Sequence, residues 1–216
     1  MKLFIDSLWI SPYAYSVYSA LREMEILFHL KEVRFEKSHS LTPSFQGRTF
    51  TDLIPAIEDK GFFLSESLAI LEYLHEKDSK PGTSSLFPRN LKDRAQARML
   101  LSWYRCGFQA LRRERSTETV FYPSDPRTAQ TLSAEAVEEV DDWKHCLTSL
   151  LKPGNPFLFG EWSIVDTETA LMLQRLIKNG DPVENHLKTY AESVWNRPPS
   201  REFILHAREP FQSYSG

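Results

Sequence analysis

Thiols are scarce in this chain. Its 216 residues include two cysteines, Cys106 and Cys146, and the first hundred positions have none. Two cysteines cannot make a four-thiolate zinc site, do not form a CxxC pair, and exclude a disulfide framework. The six histidines are scattered and suggest no metal site. No apolar run reaches the roughly 18 residues of a membrane span. Charge of one sign is also missing: 26 Lys and Arg stand against 29 Asp and Glu, a net of −3, which leaves no footprint for nucleic acid or an anionic membrane. Glycine is sparse, with 8 residues against 13 prolines, and neither a repeat nor a low-complexity segment is present. What remains is ordinary for a globular chain, 41% apolar and 25% charged. The opening Met1 to Ser11 stretch is apolar, but Asp6 interrupts it and no small-residue cleavage site follows promptly. A cytoplasmic protein with free thiols is the expectation.

The length suits one large domain or two small ones, and the order of elements selects two. Lys2 to Asp6 is a short apolar run and predicts a strand. Ser11 and Pro12 open a helix, since Ser is a good N-cap and Pro suits the first helical position. Tyr13, Val17, Ala20, Leu21 and Met24 follow at helical spacing. Phe28 to Phe35 alternates as a second strand with a slip at Lys31-Glu32. Residues 38–52 read as loop. Leu53 to Ile57 and Phe62 to Leu64 predict a hairpin turning on Asp59 and Gly61, although Pro55 fits poorly inside a ladder. Ser67 to Asp78 is again helical. After the Pro/Gly/Ser-rich linker at 80–88 the strands stop. Met99, Leu100, Trp103, Tyr104, Gly107, Phe108 and Leu111 form one wide helical stripe. Residues 122–131 predict a loop, and Ala136 to Leu151 a helix. Val165 to Asn179, apolar almost all round, predicts the buried centre of a bundle, ended by Gly180. Asp181-Pro182 opens a further helix with Glu184 placed for a capping box. Pro198-Pro199 precedes a last short one. The expected fold is an α/β domain over 1–80 and an all-α helical bundle domain over 89–216.

Four short motifs stand in this frame: Ser11-Pro12-Tyr13 at the first helix, Ile54-Pro55, Ser65-Glu66-Ser67 opening the next helix, and Gly160 to Asp166 before the buried helix. Read alone, the first and third are helix caps and the second an edge proline. Their order and spacing together resemble the cytosolic glutathione S-transferases, over nearly the whole chain, and in particular serine-type, bacterial-like members. The resemblance implies a thioredoxin-like first domain that binds glutathione as co-substrate, with no metal. It implies that Ser11 holds the glutathione sulfur. A thiol near pKa 8.5 is mostly un-ionised at neutral pH, and the thiolate is the nucleophile. A hydrogen bond to a charged group contributes about 1.5–3 kcal/mol, roughly one to two pKa units.

The resemblance also implies a cis bond before Pro55, with the Ile54 backbone offered to the peptide like an added strand. It assigns Glu66 and Ser67 to the γ-glutamyl end, whose zwitterionic head needs both signs in one place. In Gly160 to Asp166 it implies a structural capping box between Ser163 and Asp166. Ser7, in the same loop as Ser11, competes for the sulfur. Tyr13, Tyr15 and Tyr18 lie in the helix, where Tyr13 falls on the apolar stripe. A cysteine at this site, which thioltransferase-type members need, is missing.

For the electrophile the resemblance implies a site between the domains, with Trp9, Tyr104, Phe108 and Arg112 as candidates beside Ile10. Gln46 and Arg48 are candidates for the glycyl carboxylate. The function expected is a cytoplasmic, homodimeric glutathione transferase in detoxification. It would activate the thiolate for attack on a small hydrophobic electrophile or a hydroperoxide, the latter as glutathione-dependent peroxidase activity. The alternative is a non-catalytic binding module of the same fold. Neither nucleic acid nor membrane is an expected partner.

Overall fold

A computed structural model describes residues 1–34, 48–78, 85–122 and 129–210. The expectations placed on Phe35, Gln46, the first part of the linker, Pro123 and Pro126 lie outside the described residues. The chain forms two compact units. One comprises Met1–Ser84 with Pro198–Gly216, the other Ser85–Arg197.

The first unit is built on a four-stranded mixed sheet. Its strands are β1 (Lys2–Asp6), β2 (His29–Val33), β3 (Ala56–Asp59) and β4 (Phe62–Ser65), in spatial order β2-β1-β3-β4. β1 and β2 are parallel, joined through α1 (Pro12–Glu23); β3 pairs antiparallel with β1 and with β4. Leu3, Ile5 and Ile57 are fully buried from the sheet. α1 is buried at every position from Ala14 to Leu21, because it packs on both α2 (Ser67–Asp78) and α9 (Pro198–Ile204). Ser11 caps α1 as expected, its Oγ accepting from Ala14 N at 3.2 Å. Tyr15 lies in the core against Phe203, and burial raises its phenol well above the ordinary range. β3 begins at Ala56, three residues later than the apolar run suggests. Pro55 has no N–H for a ladder, so pairing starts after it.

The second unit is helical: α3 (Leu91–Cys106), α4 (Gln109–Glu114), α5 (Glu118–Phe121), α6 (Ala134–Leu150), α7 (Ile164–Lys178) and α8 (Asn185–Trp195). α7 is its centre, buried at every residue from Ile164 to Leu176. Several polar groups on α7 have specific partners. Asp166 accepts from Leu158 N, Ser163 N, Ser163 Oγ and Tyr190 Oη at 2.8–3.2 Å. Glu168 takes a two-pronged ion pair from Arg105, both contacts at 2.8 Å. Arg175 donates to the Arg115 carbonyl at 2.6 Å.

Several expectations are corrected here. The stripe from Met99 to Leu111 is two helices, not one: α3 ends at Gly107, and Phe108 turns left-handed at φ 59° before α4. Met99 is exposed. α8 starts at Asn185, with Glu184 at the cap position making no side-chain cap bond. Asp181 is instead spent on Arg115, whose Nε and Nη2 reach its two oxygens at 2.6 and 2.8 Å. The linker's last residues are not linker: Leu86 and Phe87 are core of the helical unit. α9, which its helical character groups with the second domain, packs on α1 in the first unit.

Candidate functional site

The register of the sheet places the N-terminal motifs. β1 and β3 run in opposite directions with Phe4 opposite Ala56, so the end of β1 at Asp6 and the entry to β3 at Ile54-Pro55 share one end of the sheet. β3 and β4 pair with Ala56 opposite Ser65, which brings Glu66 and Ser67 to that same end. The loop from β1 leads there into α1, and β4 leads directly into α2. Ser11, Ile54, Glu66 and Ser67 therefore gather at one sheet end, together with the N-termini of two twelve-residue helices. First-turn N–H groups and the helix dipoles make such an end favourable for negative charge.

Each piece is held locally. Asp6 is only 2% exposed. Its carboxylate accepts from Ile10 N at 2.8 Å and Ser11 N at 3.2 Å, while its carbonyl accepts from Trp9 N at 3.1 Å. Burial pushes the Asp6 carboxyl upward, opposed by those two amides and by the charge of Arg208. The capping bond uses a lone pair of Ser11 Oγ. A hydroxyl also carries one donor, so capping and donating to a sulfur are compatible roles. Ser7 sits one residue past β1, its N–H bonded to the Val33 carbonyl at 3.0 Å.

The Ile54-Pro55 bond is cis. The β1–β3 ladder ends at Ala56, and Ile54, like Phe4, packs against the buried pair Val33 and Ala56. The inward side chain leaves the backbone to run along the sheet end. Thr51 Oγ1 lies 2.7 Å from Ser65 Oγ and ties this loop to β4. Glu66 is exposed, at φ 68°, and its carbonyl accepts the first helical bond of α2 from Ile70 N at 2.9 Å. Ser67 is buried at the first position of α2. Trp9 and Asp52 are also left-handed, at φ 52° and 50°. Three non-glycine residues in this uncommon region thus flank the gathered motifs. Arg48 lies over the Phe63 ring, 5.2 Å from its centroid.

The residues expected at the electrophile are placed differently. Trp9 is 5% exposed and packs within the first unit against Tyr18, Phe203 and His206. Tyr104 and Phe108 come together in the helical unit, 3% and 2% exposed, in a cluster with Trp143. The Tyr104 hydroxyl is committed there, 2.8 Å from Thr169 Oγ1 and accepting from Trp143 Nε1 at 3.2 Å. Arg112 donates to the Arg105 carbonyl at 3.1 Å. Among the described residues no group of three or more His, Cys, Asp or Glu is placed to hold a metal ion. No helix among them is long and apolar enough to cross a membrane.

Sequence reasoning passed over Asp6 and Arg208. Asp6 had a signal, a lone carboxylate ending an apolar strand just before a helix cap. Arg208 had none, since its partner Trp9 lies 199 residues away.

The fold and the gathered motifs define a thioredoxin-like unit, joined to a helical unit. Comparison with known proteins agrees. The glutathione S-transferase N-terminal domain model matches residues 10–77, and the C-terminal domain model matches residues 90–208. Mouse glutathione S-transferase theta-1 is 27% identical over 191 residues, 86% of this chain and 78% of the mouse protein. A Burkholderia glutathione transferase homologue, solved with bound glutathione, superposes with a TM-score of 0.76 at 29% identity, covering 94% of this chain and 95% of that one. A bacterial zeta-class maleyl pyruvate isomerase shares the fold at 18% identity and a TM-score of 0.69, over 94% of this chain and 96% of that one. The chain belongs to the glutathione S-transferase family, and its activity class is glutathione transferase.

Proposed function

We propose that the chain binds glutathione across the sheet end that carries Ile54, Glu66 and Ser67, and that Ser11 stabilises its thiolate. The observation that carries this reading is the sheet register, which gathers all four residues at one end beside two helix N-termini. The Ile54 backbone pairs with the peptide as an added strand. Ser67, at the start of α2, meets the γ-glutamyl carboxylate, and the exposed Glu66 carboxylate meets the neighbouring ammonium. The homologue solved with bound glutathione supports this ligand.

The Ser11 hydroxyl donates to the sulfur while its lone pair keeps the capping bond to Ala14. Donation to a charged acceptor lowers the thiol pKa by roughly one to two units. The proton leaves to water or to the peptide's own carboxylate, so no protein base is needed. The thiolate's electron pair then forms the bond to a small electrophile, and the leaving group departs with the pair of the bond that breaks. A homodimeric, cytoplasmic enzyme of detoxification fits the family. Retention on immobilised glutathione, followed by an activity panel of conjugation and peroxide reduction, tests the reading. Failure to bind glutathione refutes it. Binding without turnover favours a binding module.

A further inference from the structure

We propose that Arg208 and His206 are positioning residues for the Trp9–Ser11 loop, and through it for the Ser11 hydroxyl. Trp9 holds a left-handed backbone, φ 52°, which a residue with a Cβ adopts at a cost. Something outside the loop must pay for it, and the chain just past α9 does so at two points. Arg208 donates to the Trp9 carbonyl from Nη2 at 3.1 Å and Nε at 3.4 Å. The same guanidinium gathers the carbonyls of Phe203, Ile204 and His206 at 2.7–2.9 Å. His206 stacks on the Trp9 ring, centroids 3.7 Å apart and planes 11° from parallel. On the β2 side, Glu32 accepts from Trp9 Nε1 at 2.9 Å.

Trp9 is thus pinned by carbonyl, ring and indole N–H. The next two amides, Ile10 and Ser11, are pinned in turn by Asp6. The planar fork takes three carbonyls at and just past the end of α9 and the Trp9 carbonyl together, so it ties that end of the chain to the loop. If the fork is removed, Trp9 relaxes toward an ordinary backbone conformation. That turns the following amides away from Asp6 and shifts Ser11.

The catalytic consequence rests on Ser11 being the thiol-holding group; the loop consequence does not, and the test separates them. Amide hydrogen exchange is measured in the ligand-free protein, and the pKa of the bound glutathione thiol is measured by ultraviolet titration. The proteins are wild type, Arg208→Ala, Arg208→Lys, His206→Ala and Ser11→Ala. We expect Arg208→Ala to speed exchange at Ile10 and Ser11 roughly tenfold or more, with the α1 core from Val17 to Ala20 unchanged. The bound thiol pKa rises in the same variant, and Arg208→Lys, a point charge without the fork, falls between. Exchange at Ile10 and Ser11 equal to wild type overturns the proposal, as does a uniform rise over the whole unit. A thiol pKa that moves in Ser11→Ala but not in Arg208→Ala overturns the link to chemistry. Local loss of protection with neither variant moving the thiol supports the loop clamp and refutes the Ser11 reading instead. If Arg208→Ala does not fold, Arg208→Lys and His206→Ala carry the same comparison.

Discussion

Asp166 is the most informative single residue for the helical unit, because its environment pulls its charge both ways. Its carboxylate is fully buried and accepts four hydrogen bonds, from Leu158 N, Ser163 N, Ser163 Oγ and Tyr190 Oη. Burial outweighs them and pushes its pKa from 3.8 up to about 6. In Asp166→Asn the amide oxygen keeps Leu158 N and Tyr190 Oη, but the amide nitrogen faces the Ser163 N–H, which loses its acceptor. That orphaned donor costs about 2 kcal/mol at pH 7.

The cost is expected to change with pH in a fixed direction. A carboxyl with a raised folded pKa binds its proton more tightly when folded, so it adds stability as pH falls through about 6 towards 3.8. Between pH 7 and pH 5 the wild type gains about 1 kcal/mol from this group, and the asparagine variant does not. Urea unfolding of both proteins at the two pH values reads this directly. We expect the variant's deficit to be about 1 kcal/mol larger at pH 5. A deficit equal or smaller at pH 5 refutes the balance of burial over hydrogen bonding.

Three further outcomes are expected. Ser11→Asp keeps a good N-cap but has no proton to donate to a sulfur, so it holds stability within about 0.5 kcal/mol while turnover falls tenfold or more; stability and turnover both unchanged, measured by unfolding and steady-state kinetics, make Ser11 only a cap. Gly107→Ala places a Cβ 2.8 Å from Trp103 Cδ1 and 3.1 Å from its carbonyl, and thermal unfolding should show a loss of about 1–3 kcal/mol. Arg115→Ala leaves the Asp181 carboxylate and the Gln130 carbonyl without their donor, and chemical unfolding should show a loss of about 3–5 kcal/mol.

The parts of the fold legible in the sequence are those marked by local chemistry. Ser11-Pro12 names the start of α1 to the residue, and Ser67 begins α2 as expected. Periodicity alone was weaker. The stripe from Met99 to Leu111 keeps its phase across the Gly107–Phe108 break, so spacing does not reveal that α3 stops where a side chain at 107 would meet Trp103. Asp181-Pro182 looks like a helix start, yet Asp181 is taken by an arginine 66 residues away. The linker's composition hides Leu86 and Phe87, both buried, the Leu86 carbonyl accepting from Ile164 N far along the chain.

The candidate site follows the same division. Ser11, Ile54, Glu66 and Ser67 stand in short motifs, and the sheet register then gathers them. Trp9 stands in the first loop and Tyr104 and Phe108 on the stretch after the linker, where the resemblance implies the electrophile's site. Position alone could not separate a ligand wall from a packed core, and the structure packs all three inside. Asp6 contacts the loop amides a few residues on and is marked by its place at the strand end, whereas Arg208 reaches the Trp9 carbonyl from 199 residues away and has no such mark.

The central claim is that Ser11 holds a glutathione thiolate. Ultraviolet titration of the bound thiol in wild type, Ser11→Ala and Ser7→Ala tests it most directly. We predict a wild-type thiol roughly one to two units below the free value near 8.5, a rise of at least about one unit in Ser11→Ala, and no change in Ser7→Ala. A thiol that titrates alike in wild type and Ser11→Ala, or one that moves only in Ser7→Ala, would contradict it.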